Sequence, residues 1–221
     1  MIKRRSRSYI ANLLEKNPNW NVLDLGGGTD AWKQAGTVLD FEDHSRYYKD
    51  RKFVQGEATS TPFKDKEFDF VICSHVVEHV VNPELICREL ERISHAGYIE
   101  FPTPFFDNLV HGNDGKLPHG HIWWVRVDDD EECLSFKPKT RVISPQLYPQ
   151  HLTPMLPFFA QEIQTGVCWE SDIPFRVDPP KFSWTSNNTT GVVTQDLTDR
   201  LIYIDSNCGR FINYPIIKRK K

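Results

Sequence analysis

Residues 21–30 read NVLDLGGGTD, an apolar run that breaks into three consecutive glycines and is followed by Asp30. The run predicts a strand and the glycines a tight turn out of it, because glycine reaches such backbone conformations without steric cost. The loop is not a P-loop, since no Gly-Lys-Ser/Thr follows, and it departs from GxGxxG because Ala31 stands where the last glycine belongs. Acids on either side, Asp24 and Asp30, serve a pyrophosphate poorly and a cationic ligand well.

Outward from this loop the chain alternates between helical and strand spacing from residue 5 to about 102. RSYIANLLEK predicts a helix, WNVLDL a strand, AWKQAG a short helix closed by Gly36, and TVLDF and KFVQG a second and third strand. FDFVICS is apolar nearly throughout, as a fourth strand buried on both faces must be, and GYIEFP is a fifth. Between them NPELICRELERIS opens with Asn82 as N-cap and Pro83 at the first helical position, with Leu85, Ile86, Leu90 and Ile93 on one face. This rhythm implies an α/β fold with a doubly wound, mostly parallel sheet, whose ligand sits outside the carboxyl ends of the strands. Asp69 lies at the opposite end of strand four and is expected to be structural.

From 103 to 185 the chain is rich in proline, aromatics and histidine. There HIWWVRV, ECLSFKP, GVCWES and IPFRV predict antiparallel edge strands plus an insertion after strand five. Residues 186–221 read as a polar C-terminal extension, and the whole chain, 1–221, is expected to form one domain with its core at about 5–102. A net charge of -3 argues against a dedicated nucleic-acid binder, and the basic runs KRRSR and KRKK read as solvated tails. Five cysteines without a CxxC pair suggest neither a disulfide framework nor a cysteine zinc site, so a reducing, cytoplasmic location is expected. No apolar run approaches the ~18 residues a membrane span needs, so no membrane partner is expected.

The other strand ends complete a pattern. Asp40 closes strand two, where a carboxylate can accept both hydroxyls of a ribose, and Phe41 follows it. Glu57 and Ala58 follow strand three, where a base edge can be read, and CSHVVEHV follows strand four beside the glycine loop. Together these ends outline a ribose-and-base pocket without phosphate groups.

Taken in order, DLGGGTD, LDF and EATSTPFKDKEFDFVICSHVVEHVVNP resemble the motifs of class I S-adenosylmethionine-dependent methyltransferases, type 11 group, over residues 20–102. The resemblance implies a Rossmann-like fold, S-adenosylmethionine as cofactor and a set of contacts. Asp24 and the backbone of Gly26, Gly27 and Gly28 hold the methionine part, Asp40 and Phe41 meet the ribose, Glu57 and Ala58 bracket adenine, and Ser74 lies near the methionine backbone. Two features depart from the family: its third glycine is Asp30 here, and the helix between strands one and two is cut to about one or two turns. Asp30 either turns back to cap AWKQ or turns forward to meet the ligand's ammonium group. HIWWV and CWESDIPFRV look like the later strands of relatives with a histidine-x-tryptophan element.

Methyl transfer from a sulfonium is an in-line displacement, so the protein positions an acceptor and removes its proton. Candidate bases are His75, His79, His111, His119 and His121, with Asp107 as a carboxylate alternative, since histidine titrates near neutrality. His121 comes first, with Trp123 and Trp124 as walls of an acceptor pocket, and His75 second. The alternative is that His121 bonds a backbone carbonyl and Trp123 fills the core. His79 reads as structural. HVVEH, with His75, Glu78 and His79 within about one helical turn, is also similar to the ExxEH element of ubiquinone-biosynthesis O-methyltransferases and small-RNA 2'-O-methyltransferases. That resemblance implies a divalent metal, completed by His121, as an alternative to the expected metal-free site. The expected activity is methylation of an unidentified acceptor, by preference a small hydroxylated metabolite or sugar. The rivals are an RNA or protein methyltransferase contacted by the basic ends, and a non-catalytic cofactor-binding or scaffold domain.

Overall fold

In the computed structural model the described residues are 1–109, 120–138 and 163–178, with three further strands at 193–195, 200–204 and 211–215. His111, His119 and the C-terminal KRKK lie outside them. The chain begins with β1 (Ile2–Arg4) and α1 (Arg7–Lys16), where the Ser6 side chain accepts a hydrogen bond from the Tyr9 amide and so caps the helix. β2 (Val22–Leu25), β3 (Thr37–Asp40), β4 (Lys52–Gln55), β5 (Phe68–Ser74) and β6 (Ser94–Pro102) are the five expected strands, and α2 (Pro83–Ile93) precedes the last.

These strands pair in the order β4-β3-β2-β5-β6, every pair parallel, and β9 (Gln164–Glu170) and then β1 extend the sheet antiparallel beyond β6. The chain runs outward from β2 to β4 and returns to β5, so the crossover direction reverses between β2 and β5. That reversal opens a crevice at their carboxyl ends, the place where such sheets bind ligands.

Side chains alternate between the two faces. Val22, Phe70, Ile72 and Tyr98 pack with Ile10, Leu14 and Trp32 on one side. Leu23, Leu25, Val71, Cys73, Ile99 and Phe101 pack with Ile86, Cys87, Leu90 and Ile93 of α2 on the other. Both faces are covered, which explains the apolar run Phe70–Cys73 in β5. Each fully buried Leu or Ile here contributes about 1.5–3 kcal/mol. Leu85, expected on the buried face of α2, is instead 51% exposed. Asp69 accepts from the Asn21 amide at 2.7 Å, the structural role its position implied.

Three expectations need correction. AWKQAG forms turns rather than a helix, because the segment must return within a few residues to β3, where the Gly36 amide bonds the Val22 carbonyl. Of the four later pieces, only GVCWES joins the main sheet. HIWWVRV and ECLSFKP become β7 (Trp123–Asp128) and β8 (Cys133–Pro138), which with β10 (Phe175–Val177) make a separate three-stranded sheet. Val125, Leu134 and Phe136 seat this sheet on the α2-side core. The basic start is not a loose tail: Ile2–Arg4 pairs with β9, and Arg4 forms a two-point ion pair with Asp129. Among residues 193–215, β11 (Val193–Gln195), β12 (Arg200–Ile204) and β13 (Phe211–Pro215) form a third, antiparallel sheet within the C-terminal extension. No described helix is long and apolar enough to cross a membrane.

Candidate active site

The turn after β2 is tied to its neighbours by short bonds. The Gly26 amide donates to the Leu39 carbonyl at 2.7 Å, with Gly26 at φ 79°, a conformation that favours glycine. A Cβ on Gly27 would stand 2.8 Å from both Ala31 Cβ and Val38 Cγ1. The Gly28 amide donates to Asp40 Oδ2 at 2.9 Å, while Asp40 Oδ1 accepts from the Glu42 amide at 3.0 Å. Tyr48 closes the loop from outside: its hydroxyl donates to the Gly28 carbonyl at 2.8 Å and accepts from the Ala31 amide at 2.9 Å.

Asp24, 2% exposed, accepts from the Trp32 amide at 2.7 Å. It therefore takes the capping role that one reading gave to Asp30, which caps no helix because none forms. Burial pushes its pKa up to about 6, partly opposed by the Trp32 amide and by Arg7 and Arg51. Asp30 instead lines a cleft of about 900 Å³ on the α1 side, with Arg7, Trp32, Lys33, Glu100 and Thr165.

Beyond β3 and β4 the expected base-reading residues stand at the crevice. Phe41 is 64% exposed, Glu57 is exposed, and Ala58 packs partly against the core. Glu89 of α2 holds the loop after Ala58, accepting from the Thr61 amide at 2.7 Å and its hydroxyl at 2.6 Å. At the end of β5, Ser74 Oγ is buried and has no hydrogen-bond partner among the described residues.

HVVEH is a turn, not a helix, so its side chains are placed by chain crossings rather than by a helical repeat. His75 sits at φ 57°, its amide bonded to the Glu100 carbonyl at 2.8 Å. Its ring lies between two buried carboxylates, Nδ1 3.4 Å from Glu78 Oε1 and Nε2 3.7 Å from Glu100 Oε1. Burial works against the imidazolium, but Glu78 and Glu100 together outweigh it and raise the pKa. Glu100, 2% exposed, is itself held by Tyr98 Oη at 2.7 Å and Arg7 at 2.8 Å.

His121 turns toward the same turn. Its Nδ1 meets Asp107 of α3 (Pro104–Leu109) at 2.5 Å, and its Nε2 is 3.9 Å from Glu78 Oε1. The His79 ring stands edge-on to it at 4.5 Å, with Nδ1 3.2 Å from the Gly120 carbonyl, and burial lowers the His79 pKa. HVVEH and HIWW are not separated by a cleft: the Ile122 and Trp123 amides both donate to the Glu78 carbonyl. Trp123 is 4% exposed and donates through Nε1 to the Val80 carbonyl at 2.7 Å, so it is a core residue and not a pocket wall. Trp124 is half-buried beneath Lys137.

Residues 23–99 match the family described as "Methyltransferase domain". Over those residues the chain is similar to a methyltransferase domain. Curated relatives include a demethylmenaquinone methyltransferase of Renibacterium salmoninarum, 30% identical over 47% of this chain and 50% of that protein. A second, of Paenarthrobacter aurescens, is 29% identical over 42% of each. The chain thus spans about half the length, or less, of the curated relatives it matches. A solved methyltransferase structure from Thermotoga maritima aligns with 75% of this chain and 89% of that one, at 11% identity and a TM-score of 0.45.

Within the matched region, the expected cofactor residues Asp24, Gly26, Gly27, Gly28, Asp40, Phe41, Glu57, Ala58 and Ser74 all lie at the carboxyl ends of β2 to β5 or in the loops that follow. The structure adds Tyr48, Arg7 and Glu100, which the sequence reading missed. Glu100 did leave a signal, a lone carboxylate in the apolar strand GYIEFP with Tyr98 two residues before it on the same face.

Proposed function

We propose that this chain is an S-adenosylmethionine-dependent methyltransferase acting on a small hydroxylated acceptor. The observation that supports it most is Asp40. Its two oxygens are each fixed by a backbone amide, Gly28 for one and Glu42 for the other, and each keeps a lone pair for the two hydroxyls of a ribose. The residues present fit the rest of the cofactor. Gly28 faces open space, with nothing within 4 Å of where a Cβ would stand, Ser74 Oγ is a buried polar atom without a hydrogen-bond partner among the described residues, and Asp24 is an acid suited to an ammonium group. When bound, the cofactor supplies an electrophilic methyl group.

The chain's own part is to orient the acceptor and take its proton. His75 is the assigned proton acceptor, with Glu78 and Glu100 beside its ring to stabilise the imidazolium that forms. His121, the other candidate, is instead directed by Asp107 toward Glu78 and His79. A small acceptor is favoured over RNA because two cations of the N-terminal basic run are already paired, Arg4 with Asp129 and Arg7 with Glu100. The named activity of the curated relatives makes demethylmenaquinone a second acceptor to test.

Calorimetry tests the cofactor. The wild type binds S-adenosylmethionine and S-adenosylhomocysteine, Asp40→Ala binds roughly 100-fold more weakly from the loss of charge-assisted hydrogen bonds, and Asp40→Asn falls between them. Absence of binding by the wild type rejects the assignment. Transfer of labelled methyl to polyols, sugars, demethylmenaquinone and RNA then tests the acceptor, and label in RNA alone rejects the small-molecule reading.

A further inference from the structure

We propose that the cleft on the α1 side is the acceptor subsite, and that the acceptor it takes carries an anionic group, a carboxylate or a phosphate, held by Arg5, Arg7 and Lys33. This deepens the methyltransferase reading and rests on it. The cleft has a volume of about 900 Å³, within the range of small-molecule sites. Its walls come from the start of α1, the turn after β2, and strands β6 and β9.

Sheet register fixes how this cleft meets the proposed proton acceptor. The Arg5 amide bonds the Gly166 carbonyl at 2.9 Å, Gly166 stands opposite Glu100 where β9 pairs with β6, and the Glu100 carbonyl accepts from the His75 amide at 2.8 Å. Arg5, Gly166, Glu100 and His75 therefore lie in one row across the sheet. Neighbouring strands are about 4.8 Å apart, which sets the Arg5 backbone roughly 10 Å from that of Glu100, a span that a sugar-sized molecule bridges. Glu100 lines the cleft and its Oε1 is 3.7 Å from His75 Nε2, so an acceptor anchored at Arg5 extends a hydroxyl toward His75.

The charges of the walls point to an anion. Arg4 and Glu100 are already balanced, by Asp129 and Arg7. Asp30, two residues beyond Gly28, is left for the cofactor's ammonium group. Arg5 and Lys33 have no ion-pair partner among the described residues, and α1 has no acid in its first turn to offset its positive end. Arg7 uses one nitrogen, Nη1, on Glu100, which leaves Nε and Nη2 to meet a carboxylate or phosphate oxygen. Independently of these charges, Trp32 is 7% exposed and its Nε1 donates to nothing among the described residues. It is a buried donor in the cleft wall, with Arg7 4.3 Å from its ring centre, and an anionic oxygen supplies the acceptor it lacks.

The test follows the indole N–H resonance of Trp32 in the full chain, assigned with Trp32→Phe, at low salt. The expected result is a shift on titration with inorganic phosphate or glucuronate, none with glucose, and affinity for both anions roughly 10-fold lower or more in Arg5→Gln/Lys33→Gln. If that variant does not fold, Lys33→Gln alone, at an exposed position, decides by the same comparison. No shift in the wild type, an equal shift from glucose, or unaltered affinity in the variant overturns the subsite. Saturating S-adenosylhomocysteine separates the acceptor from the cofactor. Phosphate that still binds supports the acceptor subsite, and phosphate that is displaced stands in for the cofactor's own carboxylate and overturns it. A short RNA that moves the resonance at far lower concentration than glucuronate overturns the small-molecule assignment. The methyltransferase reading fails separately, as absence of S-adenosylhomocysteine binding in calorimetry while phosphate still shifts Trp32, and that result leaves an anion site without an acceptor role.

Discussion

Around the glycine loop, Asp24, Asp40 and Tyr48 direct their polar atoms to backbone groups 8, 12 and 20 residues away. At the ends of β5 and β6 the partners come from farther off: His79 reaches Gly120 across 41 residues and Trp123 reaches Val80 across 43. The two halves also differ in completeness. The polar side chains that hold the glycine loop are hydrogen-bonded within the protein, whereas Ser74 Oγ and both oxygens of Glu78 are buried without a hydrogen-bond partner among the described residues. The first half is thus organised before any ligand arrives, and the second has polar groups that a ligand can complete.

The largest expected effect attacks the organised half at its tightest point. A Cβ at Gly26 meets Val76 Cγ2, and the backbone there lies at φ 79°. Gly26→Ala therefore combines backbone strain with a collision, together about 2–4 kcal/mol, and lowers the melting temperature by roughly 5–15 °C. Thermal melts and cofactor calorimetry read both consequences. An unchanged melting temperature would show that this turn is looser than its hydrogen bonds imply.

Next in size is a pH effect on stability. The pKa of Asp24 is about 6 in the folded protein against 3.8 for the free group. Between those values the folded state binds more protons than the unfolded state, so stability falls as pH rises through the window. The full loss is about 3 kcal/mol, complete above pH 6 and absent below pH 4. Urea denaturation across that range should show the slope in the wild type and not in Asp24→Asn, whose amide oxygen still accepts from Trp32. Equal slopes would mean that Asp24 ionises more freely than its burial suggests.

The same division governs what was legible in the sequence. The five parallel strands, α1, α2 and the Asp40 position could be read because each rests on local apolar spacing or on a cap such as Asn82. The cap reading of Asp30 rested on a helix expected in AWKQAG, and the true acceptor for the Trp32 amide, Asp24, lies in the preceding strand. Trp123 was left between two readings for a different reason: an aromatic pair beside a histidine looks the same in sequence whether it faces a cavity or the core. The placement of His121 beside Glu78 and His79 depends on the Glu78 carbonyl bonding the start of β7, a long-range crossing that no periodicity encodes. β1 is three residues long and pairs with β9 more than 160 residues later, so its register had no local signature.

A smaller substitution sharpens the contrast from the organised side. Tyr48→Phe keeps the stacking on Phe53 but leaves the Gly28 carbonyl and the Ala31 amide without the hydroxyl that joins them. The expected cost is about 1–2 kcal/mol in stability, together with weaker cofactor binding because the loop is no longer held closed. Denaturant melts measure the first and calorimetry the second, and loss of one without the other would separate folding of the loop from its use.

The smallest effect should run in the opposite direction. Ser74 Oγ is buried and unpartnered, so the folded protein bears the cost of removing a hydroxyl from water without a compensating bond. Ser74→Ala removes that cost at nearly constant volume and should stabilise the cofactor-free protein by about 1 kcal/mol. If Ser74 meets the methionine end of the cofactor, the same change weakens binding, so one substitution raises stability and lowers affinity. Neither Asp40→Ala nor Tyr48→Phe can do this, because in those residues the polar atoms already hold the loop. A loss of stability in Ser74→Ala would show that the hydroxyl is satisfied within the protein, and the division between a completed half and a waiting half would then rest on Glu78 alone.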